Sequence, residues 1–238
     1  MIEGKRLCEE ALSSHWTIEA AFISESFVND PFYAKLKKKF ASNKITPAIL
    51  NYSDFKNLAE TENPQGVLFV MKIPSQSQSL ETMISGHKWL VLLEGIRDPG
   101  NMGTIIRTAD WFGIPLIISS SDSVDFFNPK VIRSTMGSIF RVDCIEIQNL
   151  SSIIPILREQ QYSIIGTSPF ASMYLEDSIV NPPFVIVLGS EAEGISENLK
   201  SSLDTVVKIN RYGEAESLNV AVAAGIVIHH FSNLINHG

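Results

Sequence analysis

Residues 89–114 read WLVLLEGIRDPGNMGTIIRTADWFGI, and the order of residue types in that stretch decides the fold. The run from Trp89 to Leu93 is apolar without interruption, so the strand it forms must be covered on both faces; a strand with one wet face would alternate. Asp98-Pro99-Gly100 is turn chemistry. Asn101 stands where a helix N-cap is expected, and the apolar positions beyond it recur at helical spacing. Strand, turn and helix in that order make one unit of a parallel α/β sheet. The pattern returns in PLIIS (115–119), YSIIGT (162–167), FVIVLGS (184–190) and TVVKIN (205–210), short apolar runs separated by helical segments. The segment from Ser217 to about Ile235 is apolar at helical spacing and predicts a C-terminal helix.

Upstream of Lys88 the rhythm is different. GKRLCEEALSS, DPFYAKLKKKF and SDFKNLAE predict helices, and WTIEAAFIS, ITPAILN and GVLFVMK predict strands, which together make a small α/β domain over residues 1–73. IPSQSQSLETMISGH follows, polar, Ser/Gln-rich and without periodicity, so residues 74–87 are expected to be a linker and residues 88–238 a second domain.

Composition narrows the class. The chain has 238 residues, 45% of them hydrophobic and 19% charged, enough to bury a sizeable core in one large or two smaller domains. Cys8 and Cys144 lie far apart without metal-ligand spacing, which argues against a zinc site and a disulfide framework and favours a reducing cytoplasm. The N-terminal residues MIEGKRLCEEAL lack a signal-peptide core, and every apolar run stops short of a membrane span. The net charge of −7 works against a nucleic-acid partner. Residues 1–86 carry nine Lys/Arg against ten Asp/Glu, and residues 87–238 carry ten against sixteen. The lysines of the first part, Lys35, Lys37, Lys38, Lys39 and Lys44, read equally as a solvated helix end or as an RNA-binding patch.

In an open parallel sheet, ligands bind at the carboxyl ends of the strands, and three loops there carry unusual residues. After WLVLLEG, Asn101 is either a cap or a site residue, while Arg107 interrupts the apolar run TIIRTADWF and calls for a carboxylate or an anion. After FVIVLGS, Gly189 and Gly194 bracket Glu191 and Glu193; glycines let backbone approach a ligand closely, and the acids suit a cationic or neutral ligand better than a phosphate. A Walker loop would need Lys after its last glycine, where Ile195 stands. After TVVKIN, Ser217 and Asn219 bring small hydrogen-bonding groups to the expected helix start.

Taken in this order, the three loops strongly resemble the motifs of the SpoU (TrmH-like) group of SPOUT methyltransferases. Asn101 and Arg107 match Asn, six positions, Arg. Gly189, Glu191 and Gly194 match Gly-x-Glu-x-x-Gly, and Ser217, Leu218 and Asn219 match Ser-Leu-Asn. NPKVIRSTMG, with Lys130 and Arg133, looks like the stretch the family carries between its first two motifs, and the first domain is similar to the ribosomal-protein-like RNA-binding domain that often precedes the catalytic one. The resemblance implies an α/β fold with a C-terminal parallel-sheet SPOUT domain, a deep trefoil knot and a homodimer with active sites near its interface. It also implies transfer of a methyl group from S-adenosylmethionine to a ribose 2′-hydroxyl of RNA, with ribosomal RNA ahead of transfer RNA and no metal. Gly189, Ile209 and Leu218 are implied to contact the cofactor, with Leu188, Thr167 and Gly194 completing its surroundings. Asn101, Arg107, Glu191, Ser217 and Asn219 are implied to surround the reacting ribose. Because a guanidinium is a poor base at neutral pH, Arg107 is expected to act electrostatically, and Glu191 is either the group that orients Asn101 or Arg107 or a surface carboxylate. No Gly-x-Gly occurs in the chain, so the turn of Rossmann-type methyltransferases is missing. One departure stands out: Ile209-Asn210-Arg211 occupies the place of the family's Ile-Pro-Met, which bears on cofactor affinity. A non-catalytic RNA-binding protein and a small-molecule α/β enzyme are the rival readings.

Overall fold

The computed structural model describes residues 1–76, 78–190 and 192–236. The chain divides into two units, Met1–Gln76 and Ser77–Gly238.

In the small unit the elements run β1 (Ile2–Glu3), α1 (Lys5–Ala11), β2 (Ile18–Ser24), α2 (Pro31–Ser42), β3 (Ala48–Leu50), α3 (Tyr52–Leu58) and β4 (Val67–Met71). The sheet order is β1-β4-β2-β3; β4 is antiparallel to both neighbours and β3 is parallel to β2. The sequence predicts every element except β1, a strand of two residues, which is too short to carry a period. Pro31 starts α2 with its fixed φ, and the Asp30 carboxylate accepts from Phe32 N at 2.8 Å as the cap. The inner face of α2 buries Leu36 and Phe40, and the Phe40 ring meets Phe69 at 5.7 Å. Two of its lysines turn back on α1: Lys35 and Lys39 reach Glu9 at 2.6 and 3.3 Å. Lys35, foremost, holds that carboxyl below the usual carboxylate range.

The large unit begins with α4 (Leu80–Ile84), inside the stretch read as linker. Ser79 caps this helix, and Ile84 is fully buried in the core of the large unit. Tyr162 holds the segment by donating its hydroxyl to the carbonyls of Ile84 and His87, at 2.8 and 2.7 Å. One buried apolar residue and one tyrosine order a segment whose composition alone suggests a loop.

There follow β5 (Trp89–Leu93), α5 (Pro99–Trp111), β6 (Leu116–Ser120), α6 (Pro129–Thr135), β7 (Asp143–Ile147), α7 (Ile154–Glu159), β8 (Ser163–Thr167) and β9 (Met173–Tyr174). The last elements are β10 (Phe184–Leu188), α8 (Glu197–Lys200), β11 (Thr205–Lys208) and α9 (Val220–Asn236). Seven strands line up as β7-β6-β5-β10-β8-β11-β9, and every neighbouring pair is parallel. All residues of β5, β6 and β10 are buried, as unbroken apolar strands require. On one face Leu90, Leu92, Ile118 and Val187 pack with Ile84 and Leu157. Towards α9, Trp89 meets Phe184 edge to face and Phe184 meets Phe231 at a tilt, with centroid distances of 5.9 and 5.3 Å. α5 touches both α6 and α9. It approaches α6 so closely that a Cβ on Gly103 would lie 2.4 Å from that of Ser134.

Two boundaries differ from the sequence reading. Asp98, not Asn101, is the N-cap of α5, accepting from Asn101 N at 2.8 Å; Pro99 at the first helical position moves the start forward and places Asn101 within the first turn. α9 starts at Val220 rather than Ser217, because the Asn219 carboxamide accepts from Ala221 N and Val222 N at 3.0 and 3.3 Å and so acts as the cap.

Candidate functional site

Strands β8, β10 and β11 end on the same edge of the sheet, and the loops that follow them wall a cavity of about 760 Å³. Its floor is apolar: Leu188 closes β10, Val207 lies on β11, and Val220 and Val227 come from α9, all of them buried. Its rim is polar, with Ser190, Glu193, Arg211, Glu216 and Ser217. An apolar floor with a few polar groups at the edge is the usual make-up of a small-molecule site.

The loop after β10 is the tightest part of the wall. A Cβ on Gly189 would fall 2.1 Å from the carbonyl carbon of Gly194 and 2.4 Å from Ile195 N, so only glycine fits where the loop folds back on itself. Gly194 N donates to Ser190 O at 3.0 Å, closing the turn, and Glu193 N donates to Ser190 Oγ at 3.0 Å. Glu94, at the end of β5, accepts from both Ser196 N and Ser196 Oγ at 2.7 Å, which pins the far end of the loop. The sequence reading passed over Glu94; its signal is a carboxylate set directly behind an unbroken apolar strand, where an acid needs a partner.

Of the residues singled out for the cofactor, Thr167, Leu188, Gly189, Gly194, Ile209 and Leu218 all line this cavity, and Ser217 lines it with them. Asn101 and Asn219 do not line it but meet each other: Asn219 Nδ2 donates to Asn101 Oδ1 at 2.9 Å across 118 residues of sequence. The cap of α9 and the first turn of α5 are thereby tied together. Arg107 stands apart from the cavity, exposed on α5 with no ion pair or hydrogen bond among the described residues. Six residues at 1.5 Å each place it about 9 Å along the helix from Asn101, so it does not fill the buried anion-seeking position that its apolar neighbours suggest. Glu191 lies outside the described residues. Three further residues at the cavity escaped the sequence reading: Phe170, Lys208 and Tyr212. Among the described residues no group of three or more His, Cys, Asp or Glu side chains is placed to hold a metal ion.

A parallel sheet with a cavity of this size at its carboxyl edge, walled by loops and bordered by an amide pair, defines a ligand-binding α/β protein. The chain belongs to the SpoU rRNA methylase family, whose model matches residues 88–229, while a model described as RNA 2′-O ribose methyltransferase substrate binding matches residues 1–77. The 23S rRNA guanosine 2′-O-methyltransferase RlmP of Bacillus subtilis is 31% identical over 97% of this chain and 87% of its own length. Among solved structures, an rRNA methyltransferase from Sinorhizobium meliloti with AdoMet bound is 26% identical, with a TM-score of 0.82 over 98% of this chain and 86% of that one. The SpoU methyltransferase AviRb from Streptomyces viridochromogenes, at 21% identity, shares the fold with a TM-score of 0.85 over 100% of this chain and 90% of that one.

Proposed function

We propose that this protein transfers a methyl group from S-adenosylmethionine to a ribose 2′-hydroxyl of RNA, with ribosomal RNA ahead of transfer RNA. The observation that carries the reading is the convergence of three separate loops on one cavity, with the Asn101–Asn219 pair beside it. The cavity fits the cofactor: its volume exceeds that of a nucleoside, its floor suits an apolar ring, and the carboxylates of Glu193 and Glu216 suit a cation. When bound there, S-adenosylmethionine supplies an electrophilic methyl group on a positively charged sulfur.

The chain's own residues supply geometry and electrostatics. Backbone at Gly189, Gly194 and Ile209 holds the cofactor while Thr167, Leu188 and Leu218 shape its surroundings. Asn101, Ser217 and Asn219 orient the ribose, and the role assigned to Glu191, by family resemblance, is to orient Asn101 or Arg107. Holding donor and acceptor in line removes most of the entropic barrier to a direct displacement. Arg107 offers its guanidinium to an RNA phosphate and to the developing alkoxide. Its distance from the cavity suits an approach by RNA along α5.

Family membership also supports a trefoil knot and a homodimer. Trp111 on α5 and Val222 and Ile226 on α9 are exposed apolar groups suited to a contact between copies, and light scattering on the purified protein should return twice the chain mass. We place the protein in the cytoplasm, a reading favoured by two unpaired cysteines and an rRNA substrate; no helix among the described residues is long and apolar enough to cross a membrane.

Incubation with methyl-labelled S-adenosylmethionine and total unmethylated RNA, alongside small-molecule acceptors, tests the function. Label should enter RNA at an alkali-resistant dinucleotide, the signature of a blocked 2′-hydroxyl. Label in a small molecule, or none at all with cofactor bound, would sink the proposal.

A further inference from the structure

An exposed aromatic ring leaves apolar surface in water, so clustered exposed rings mark contact surfaces. Phe170 and Tyr212 are 93% and 92% exposed, among the most exposed large apolar side chains of the described residues, and both stand at the mouth of the cavity. Phe170 belongs to the loop between β8 and β9, and Tyr212 to the segment after β11; β11 lies between β8 and β9 in the sheet. The two rings therefore leave neighbouring strands at one edge. Ser168 N donates to Val207 O at 3.0 Å, which fixes the start of the Phe170 loop against β11.

Tyr212 is exposed but not loose. Asn210 Nδ2 donates to its hydroxyl at 3.3 Å, and Arg211 Nη1 donates to Ala215 O at 3.4 Å. This anchor depends on the departure from the family pattern: a proline in place of Asn210 has no side-chain donor. Cations gather here as well. Lys200, Lys208 and Arg211 line the cavity against Glu193 and Glu216, and Lys208 Nζ sits 4.4 Å from the ring centroid of Tyr174. Residues 87–238 as a whole are acidic, with ten bases against sixteen acids.

We infer that Phe170 and Tyr212 form a stacking platform for an unpaired RNA base beside the methylated ribose, with Arg211 set against a neighbouring phosphate. The inference rests on the RNA methyltransferase reading and adds how the RNA is gripped. Proteins read RNA chiefly at bases splayed out of the helix and stacked on aromatic side chains, and local positive charge serves the backbone of the same strand. Continuity with the cofactor cavity favours a substrate base as the occupant over an unrelated ligand.

The test measures binding of the full chain, with saturating S-adenosylmethionine, to an unmethylated 23S rRNA transcript. Phe170→Ala and Tyr212→Ala should each raise the RNA Kd about five- to a hundredfold, the range seen for loss of one stacked base. Tyr212→Phe, which keeps the ring, should stay within about threefold, and calorimetric affinity for S-adenosylmethionine should stay within twofold in all three. An unchanged RNA Kd overturns the inference. So does a loss of cofactor affinity instead, which would mean that the rings close over the cofactor, or a change of mass in light scattering, which would assign them to a contact between copies. Label transfer by the wild type, read separately, reports on the methyltransferase reading itself.

Discussion

Basic residues in the two units stand in different company. In the small unit Lys5 pairs with Asp30 at 2.6 Å, Lys35 and Lys39 share Glu9, and Lys39 also reaches Ser13 Oγ at 2.7 Å. The lysine run that looks like an RNA patch is therefore partly engaged within its own fold. In the large unit, away from the cavity, Arg141 and Arg158 are likewise tied to Asp110 and Asp204, at 2.8 and 2.6 Å. Around the cavity the cations are held differently: Lys200 pairs with Glu197 at 2.6 Å, Lys208 lies over the Tyr174 ring and Arg211 reaches Ala215 O, while Arg107 on α5 has no ion pair among the described residues. A balance of charges over a segment says little about nucleic-acid binding. What matters is which cations the fold leaves unanswered, and among the described residues both units hold some: Lys37, Lys38 and Lys44 in the small one and Arg107 in the large one.

Substitutions can break or sharpen this contrast. The largest effect is expected from Gly189→Ala: a Cβ 2.1 Å from the Gly194 carbonyl carbon forces the loop open, and cofactor affinity by calorimetry should fall more than about 100-fold. Near-wild-type binding would remove that loop from the site. Arg107→Ala should lower kcat by roughly 100-fold with little change in cofactor affinity, and Arg107→Lys should recover only part of it, since an ammonium cannot reproduce the planar fork. Turnover within a few-fold of wild type in both would place Arg107 with the engaged surface cations. Asn219→Asp keeps the oxygen that caps α9 but loses the donor to Asn101. It should cost about tenfold in kcat/KM at nearly unchanged Tm, whereas Asn219→Ala should also cost about 1 kcal/mol in denaturant unfolding. The smallest effect is expected from Lys35→Ala with Lys39→Ala: RNA affinity within about twofold and an unchanged salt slope, because an exposed ion pair contributes about 1 kcal/mol at most and these lysines are occupied. A slope reduced by one or two units would count them as phosphate contacts after all.

The sheet was legible wherever burial dictates residue type. β5, β6 and β10 announce themselves as apolar runs because every residue in them is buried, and β8 because its middle residues are. β7 does not: as an edge strand it reads DCIEI, with Asp143 and Glu146 facing water. β9 and β1 have two residues each, and their existence depends on partners distant in sequence. The site was legible in a different way. Its backbone-approach glycine and its amide pair are short local patterns, but Phe170, Tyr212 and Glu94 owe their positions to neighbours that only the folded sheet supplies. The cap expected at Asn101 falls to Asp98 instead, because Pro99 moves the helix start forward.

Two bonds that shape the site join residues more than a hundred positions apart: Ser196 to Glu94, across 102, and Asn219 to Asn101, across 118. A nascent chain emerging from the ribosome cannot make either until most of the large unit has been synthesised. Loop closures of that length come late because their entropy must be met before the contact rewards it. Cofactor capture is thus a checkpoint on completed folding, and a ligand present at 100 times its Kd would deepen the finished state by about 2.7 kcal/mol while giving truncated chains nothing.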